Sequence, residues 1–99
     1  MNTIKTKTLD IAEYLETEED ISDFLSEASA SGDTHHLVHC LNIAARARGM
    51  TEVANQAGLT RASLYKSLNG DSSPKLETIA KVLNVFGCRL SITHTKPTG

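Results

Sequence analysis

The chain of 99 residues has no tryptophan and only two phenylalanines, two tyrosines, two cysteines and two prolines. So few aromatic residues, beside many Ala and Leu, predict an aliphatic helical core and not a β-sandwich. No apolar run is long enough to cross a bilayer, and residues 1–9 lack the apolar block of a signal peptide. We therefore expect one compact cytoplasmic domain, small enough to benefit from dimerisation.

The cysteines lack the spacing of a metal site, and the one histidine pair with suitable spacing has no evident third ligand. Cys40 and Cys88 lie far apart, and in a reducing compartment they are interpreted as small apolar residues. His35 and His39 stand four residues apart, but His36 occupies the position where a zinc protease needs glutamate. The sequence also has no Gly-rich phosphate loop and no serine in a nucleophile elbow. We predict no catalytic residue, no metal and no cofactor.

Charge is distributed unevenly along the chain. Residues 1–33 carry two basic and nine acidic residues, a net charge of −7, whereas residues 34–99 carry eight basic and three acidic residues, a net charge of +5. A basic segment attracts phosphate, while the acidic segment should face away from DNA and be available to another partner. The alternative is that the acidic residues only keep surface helices soluble.

The segment TEVANQAGLTRASLYKSLNG, residues 51–70, is typical of two short helices joined by a glycine turn. Thr51 and Thr60 are expected to cap the helices, Gly58 to end the first, and Leu64 with Leu68 to face the interior. The remaining face suits the DNA major groove, since arginine can bond guanine and alanine permits close approach. The alternative is a solvated face in any small helical domain. The predicted outward residues are Arg61, Ala62, Ser63, Tyr65, Lys66 and Asn69.

Helix signals precede this pair. A short turn is predicted at residues 11–15, and Thr17 followed by Asp20 matches a capping box for a helix that stops at Gly32. Its inward residues are predicted to be Ile21, Phe24, Leu25 and Ala28. The next helix should begin at Asp33 or Thr34, and its apolar stripe is Leu37, Val38, Leu41, Ala44 and Ala45.

A last helix is predicted after the loop at residues 71–73, with Pro74 in its first position and Gly87 at its end. Its inward residues are predicted to be Leu76, Ile79, Ala80, Leu83 and Phe86. The pattern as a whole predicts an all-α fold with five or six helices.

The segment CRLSIT, residues 88–93, alternates apolar and polar residues as a β-strand does. A lone strand must pair its backbone with something, and the candidates are Ile4–Leu9, the same strand of a second copy, or an edge strand of another protein. A loosely held, solvated tail is the alternative. We predict protein contacts from this segment and from the acidic one, at Arg89, Leu90, Ser91, Ile92, Glu16, Glu19, Asp20 and Asp23.

The stretch ARARGMTEVANQAGLTRASLYKSLNGDSSPKLETIAKVLNVFGCRLSI resembles the addiction-module antidote proteins, a HigA-like group in the Xre/Cro helix-turn-helix superfamily. The preceding DIAEYLETEEDISDFLSEASASGD resembles the acidic N-terminal portion of that group. The resemblance implies a Cro/repressor-like domain with a short C-terminal strand. It also implies a bacterial antitoxin that binds a small basic RelE/ParE-like toxin and represses its own operon as a dimer on a palindromic operator.

The same resemblance places a recognition helix at Arg61–Asn69. It implies base contacts from Arg61, Ala62 and Lys66. It implies phosphate contacts from Thr51, Thr60 and Ser63. We expect an acidic helical extension at residues 1–33, a DNA-binding domain at 34–94 and a flexible tail at 95–99. A stand-alone repressor without a toxin, or a protein-interaction module without DNA affinity, remains open.

Overall fold

The computed structural model describes residues 11–70 and 73–95. Over these residues a 3-10 helix at Ile11–Tyr14 precedes five α-helices. The helices are α1 (Glu18–Ala30), α2 (Thr34–Arg48), α3 (Met50–Ala57), α4 (Arg61–Leu68) and α5 (Leu76–Val85). The predicted helical architecture is confirmed for this part of the chain. No helix in it is long and apolar enough to span a membrane.

Two of the predicted helix starts are confirmed by hydrogen bonds ahead of α1 and α2. The Thr17 hydroxyl accepts the Asp20 N–H, and the Asp20 carboxylate accepts the Thr17 N–H, both at 3.0 Å. This reciprocal pair is a capping box, which satisfies donors that the first turn of α1 leaves unpaired. The Asp33 side chain caps α2 by accepting the N–H of His36 at 3.2 Å.

The predicted cap at Thr51 is wrong. α3 begins at Met50 directly after Gly49, which ends α2 and precedes α3 with a φ of +116°. Because one residue separates the two helices, Thr51 already lies inside the first turn of α3. Glycine adopts this backbone conformation without the strain that a Cβ would add.

The predicted start and inner face of α5 also need correction. α5 begins at Leu76 and not at Pro74, and its N-cap residue, Lys75, makes no side-chain capping bond. Leu76 is 71 % exposed, and Ala80 is exposed as well. The buried stripe passes through Ile79, Val82, Leu83 and Phe86. Ala80 lies about 100° round the helix from Ile79, which takes it off that stripe.

One hydrophobic core joins all five α-helices, and α2 lies at its centre, in contact with every other helix. α1 contributes Ile21, Leu25 and Ala28 to this core, although it belongs to the acidic segment. The most deeply buried large side chains are Leu41, Leu64, Leu68, Val53 and Val82. The outer helices are therefore positioned mainly by their packing on α2.

The predicted strand at residues 88–93 is not present in the described part of the chain. The N–H of Cys88 donates to the Leu83 carbonyl at 2.9 Å, and residues 89–95 make no backbone hydrogen bond to any described residue. A strand exists only when its backbone is paired, and no described segment lies alongside to pair with it. The candidate partner Ile4–Leu9 and tail residues 96–99 lie outside the described residues.

Candidate nucleic-acid interface

The turn between α3 and α4 is built by Gly58. Its φ of +74° is left-handed, and its N–H donates to the Asn55 carbonyl at 3.2 Å. The next residue, Leu59, returns its N–H to the Ala54 carbonyl at 2.9 Å and packs against the core. A Cβ at Gly58 would meet no atom within 4 Å, so the backbone conformation, not lack of space, favours glycine. The predicted glycine turn is confirmed.

Thr60 fixes the start of α4. Its hydroxyl oxygen accepts the N–H of Ser63 at 3.0 Å, as the sequence predicts for a capping residue. One turn later Leu64 is 0 % exposed, and Leu68 is 1 % exposed. These two leucines lie four residues apart and so hold one side of α4 against the core. The opposite side of α4 is left facing solvent.

Asn42 positions the other end of α4. Its side-chain amide on α2 donates to the backbone carbonyl of Leu68 at 3.0 Å. This carbonyl lies in the last turn of α4, where the helix supplies no partner for it. Sequence reasoning missed this contact. The signal that could have indicated it is the position of Asn42, a polar residue between two apolar residues, Leu41 and Ile43, which are both buried.

Five of the predicted DNA-contacting residues are exposed on α4. Tyr65 is 60 % exposed, and its four companions are exposed too. The set is Arg61, Ala62, Ser63, Tyr65 and Lys66. Asn69 is half-buried at the C-cap of α4, Thr60 is exposed at its N-cap, and Thr51 is exposed on α3. The structure thus exposes most of the predicted residues on α4 and leaves Thr51 on the neighbouring helix.

The exposed residues of α4 offer hydrogen-bond donors and positive charge. Arg61 supplies a planar set of five donors, Lys66 a point charge, and Ser63 and Tyr65 hydroxyl groups. The small side chain of Ala62 permits close approach to the helix between them. Glu52 on α3 is the one acid in the sequence from residue 34 to residue 70, and its carboxylate accepts the Gln56 side-chain amide at 3.0 Å. Little negative charge therefore opposes an approaching phosphate.

The acidic residues predicted to contact a protein differ in their surroundings. Glu16, Glu19 and Asp23 are exposed around the start of α1. The Asp20 carboxylate instead accepts the backbone N–H groups of Thr17 and Glu16, each at 3.0 Å. These hydrogen bonds, led by that of Thr17, hold the pKa of Asp20 below its usual value. Asp20 thus remains charged while it holds the start of α1.

Arg48 links α1 to Phe86, the residue that follows α5. Its Nη2 lies 2.9 Å from Oε2 of Glu18, and its guanidinium lies 5.2 Å from the ring centroid of Phe86. The cation therefore serves an ion pair on α1 and a cation–π contact after α5. The sequence analysis predicted neither contact. Residues 30 and 38 positions away in the chain could not be assigned to it from local pattern.

The histidine and cysteine residues of α2 are near one another. His36 Nε2 lies 3.6 Å from Sγ of Cys40, and burial raises the pKa of that thiol. Over residues 11–70 and 73–95, no three or more His, Cys, Asp or Glu side chains are grouped to hold a metal ion.

The predicted contact residues after α5 lie away from regular secondary structure. Arg89 and Ser91 are exposed, Leu90 is 42 % exposed, and Ile92 is 99 % exposed. Leu90 also lines a groove that α2 and the start of α5 form. Ile92, two residues further along the chain, is almost fully exposed.

Comparison with known proteins gives one family and one relative. A family model described as "Probable addiction module antidote protein" matches residues 5–94. A protein of Haemophilus influenzae (strain ATCC 51907 / DSM 11121 / KW20 / Rd), named only as an uncharacterized protein, is 32% identical over 94 residues. That similarity covers 95% of this chain and 97% of the relative. No solved structure matches the chain.

Proposed function

Since the chain belongs to the family of probable addiction module antidote proteins, we propose that it is the antitoxin of a type II toxin–antitoxin module. It neutralises a small basic toxin of the RelE/ParE-like type by binding it. It also represses its own operon as a cytoplasmic dimer of the HigA-like, Xre/Cro helix-turn-helix kind. Family membership carries the antitoxin half of this proposal, and the outer face of α4 carries the DNA half.

The DNA half follows from how α4 is held. Leu64 and Leu68 bury one side of the helix, and Asn42 fixes its last turn, so the outer side is presented on a rigid support. We assign base contacts to Arg61 and Lys66 and close approach to Ala62. A dimer would place two copies of α4 in successive major grooves, about 34 Å apart. The operator is then an inverted repeat with about ten base pairs between half-site centres.

We assign the phosphate contacts to hydroxyl groups on α4 and next to it. The Thr60 oxygen accepts the Ser63 N–H, which leaves its hydroxyl hydrogen able to donate to a phosphate. Thr51 and Ser63 are exposed and supply further hydroxyl donors. Tyr65 can reach either a phosphate or a base edge, and Asn69 lies at the end of the helix. These contacts position the protein, and Arg61 with Lys66 supplies the sequence preference.

The toxin half rests on charge. Residues 1–33 carry a net charge of −7, and a basic toxin would be attracted to that segment. Glu16, Glu19 and Asp23 are exposed and supply the direct contacts. Asp20 contributes its charge while its carboxylate holds the start of α1. The residues after α5, Arg89–Ile92, form a second protein-binding segment.

The test is co-expression of this chain with its adjacent reading frames, one of them tagged. A stoichiometric complex with a small basic protein that survives moderate salt, and relief of that protein's growth inhibition, are expected. The double variant Glu19→Lys with Asp23→Lys should weaken the complex at least about tenfold through charge repulsion. Glu77→Lys, an exposed charge reversal on α5, is the matched control and should leave it unchanged.

Charge reversal is a sharper test than removal of residues 1–33. Deletion would also remove Ile21, Leu25 and Ala28 from the core, so lost binding could reflect unfolding. If no adjacent protein binds but the chain still shifts its own promoter DNA, the antitoxin proposal fails. DNA binding through the outer face of α4 does not depend on a toxin. The chain would then function as a stand-alone Xre/Cro-type repressor.

A further inference from the structure

A groove of about 290 Å³ lies between the 3-10 helix, α1 and α2. Its buried lining residues are Ala28, Cys40 and Ile43, while Phe24 is half-buried and Ile11 is 45 % exposed. Ile43 is buried without belonging to the hydrophobic core that joins the helices, so the groove extends the apolar surface beyond that core. Pockets for small molecules usually measure about 300–1,000 Å³, and a groove of this size suits one or two protein side chains instead.

The 3-10 helix adds exposed apolar surface at the edge of this groove. None of its four side chains is buried, and Tyr14 is 69 % exposed. Because a 3-10 helix has three residues per turn, Tyr14 lies on the same side of it as Ile11. A partner that covered Ile11, Tyr14 and the groove would remove this apolar area from water.

Acidic side chains surround the groove on the α1 side. Residues 11–33 contain eight acidic residues and no lysine or arginine. Glu27 is exposed and lines the groove. Asp20 lies four residues before Phe24 and Glu27 three residues after it, so both carboxylates are neighbours of Phe24 on the surface of α1. The groove is therefore an apolar site beside a strongly negative surface.

We propose that this groove docks the toxin. An apolar side chain of the basic partner inserts between Ile11, Phe24 and Ile43, and lysine or arginine residues next to it pair with Glu27 and the other acids of α1. An apolar centre with a polar rim is the usual anatomy of a protein–protein contact. This proposal rests on the antitoxin function proposed above and adds the docking surface and the chemistry of the toxin segment that it binds.

Charge selects a basic protein over a second copy of this chain as the occupant. A two-fold contact would set the acidic rim of one groove against the same acidic rim of the other copy, and like charges repel. A contact between this groove and the basic half of another copy would run head to tail, which does not close into a dimer. DNA is repelled by the same acids. A basic toxin meets none of these obstacles.

Ile11→Glu in the full-length chain separates apolar docking from simple charge attraction. The added carboxylate increases the attraction for a basic partner, so a loss of affinity can only report the lost apolar contact. We expect the Kd for the basic protein from the adjacent reading frame to rise at least about tenfold. Isothermal titration calorimetry at moderate salt measures it. An unchanged or lower Kd would overturn the proposal.

Two further variants control for charge and for folding. Leu76→Glu makes the same change at another exposed apolar residue, on α5, and should alter the Kd less than about threefold. Ile11→Ala removes apolar area without adding charge and should raise the Kd at least about fivefold. It keeps the test available if circular dichroism shows that Ile11→Glu is unfolded. The melting temperature of Ile11→Ala should remain close to that of the unmutated chain, because Ile11 is half exposed.

Photo-cross-linking identifies what lies against the groove. The photoreactive residue p-benzoylphenylalanine in place of Tyr14 should cross-link to the toxin in the purified complex. The same residue in place of Tyr65, which is 60 % exposed on α4, is the matched control and should not. Cross-linking from position 14 only to a second copy, or only to residues 1–9 of the same chain, would overturn the proposal by naming a different occupant.

The outcomes separate this proposal from the function on which it rests. If Glu19→Lys with Asp23→Lys weakens the complex but Ile11→Glu and Ile11→Ala do not, the groove is not the docking site and the antitoxin function stands. If no adjacent basic protein binds the unmutated chain, both proposals are wrong. Loss of affinity in both Ile11 variants, with Leu76→Glu unaffected, supports docking in the groove.

Discussion

The side-chain amide of Asn42 donates a 3.0 Å hydrogen bond to the backbone carbonyl of Leu68, 26 residues further along the chain. The bond joins the central helix α2 to the last turn of α4, which carries the candidate DNA-contacting face. Leu68 is itself 1 % exposed, so apolar packing and a polar bond act on the same residue. The position of α4 is thereby fixed at the end opposite its Thr60 cap.

Asn42→Ala removes this bond and leaves the Leu68 carbonyl without its protein partner. We expect the free energy of unfolding to fall by about 1–2 kcal/mol and affinity for operator DNA to fall as α4 loosens. Urea denaturation and a gel-shift titration measure the two effects. Asn55→Ala, at an exposed position on α3, is the control and should change neither. Unchanged stability in Asn42→Ala would refute a structural role for the bond.

Thr60→Ala tests the start of α4. Loss of the bond from the Ser63 N–H to the hydroxyl should lower the free energy of unfolding by about 1 kcal/mol. Thr51→Ala is a matched control, because Thr51 lies inside α3 and alanine is the stronger helix former. Thermal denaturation should therefore show a loss of stability for Thr60→Ala and none for Thr51→Ala, although the sequence analysis predicted both residues to be helix caps. Equal losses of stability in the two variants would contradict the observed helix boundary.

Arg61→Ala tests base recognition by the outer face of α4. We expect a loss of about 1–3 kcal/mol on the cognate operator and a weaker preference at one base position. Lys66→Ala should likewise lose more affinity on the operator than on random DNA, because we assign its amine to a base; an equal loss on all sequences with a flatter salt dependence would assign it to phosphate instead. Binding isotherms on operator and random DNA at several salt concentrations distinguish the two. A nearly equal loss on both DNAs for Arg61→Ala would remove its assignment to a base.

The capping box at α1 predicts a pH dependence on the acid side. Backbone hydrogen bonds from Thr17 and Glu16 lower the pKa of Asp20 in the folded chain below its unfolded value, about 3.9. The stabilisation is therefore complete above that unfolded value and is lost as the pH falls through the lower folded pKa. Asp20→Asn should flatten this part of the stability curve.

Urea denaturation between about pH 5 and pH 2.5 measures that slope. Asp23→Asn is the control on the same helix, and its carboxylate forms no hydrogen bond with the described residues. The control should retain the slope of the unmutated chain. If the slope for Asp20→Asn equals that of the unmutated chain, the Asp20 carboxylate does not form the capping box in solution.

Contacts within a few residues could be predicted from the sequence. Thr17 with Asp20, Asp33 with His36 and the turn at Gly58 each involve groups at most five positions apart. Backbone geometry brings such groups together whenever the helix or turn forms. The sequence alone therefore determined where the helices α1, α2 and α4 begin, how α3 ends and which side of α4 is polar.

Tertiary packing decided the remaining features. The partner of Asn42, the double contact of Arg48 and the exposure of Leu76 depend on which distant surfaces lie opposite them. Local periodicity carries no information about those distances. The strand prediction was wrong for the same reason. Alternation at residues 88–93 specifies which side chains share a face, but a strand also needs a paired neighbour. The sequence determined the helices and their polarity, and only the folded chain decided which side chains those helices bring together.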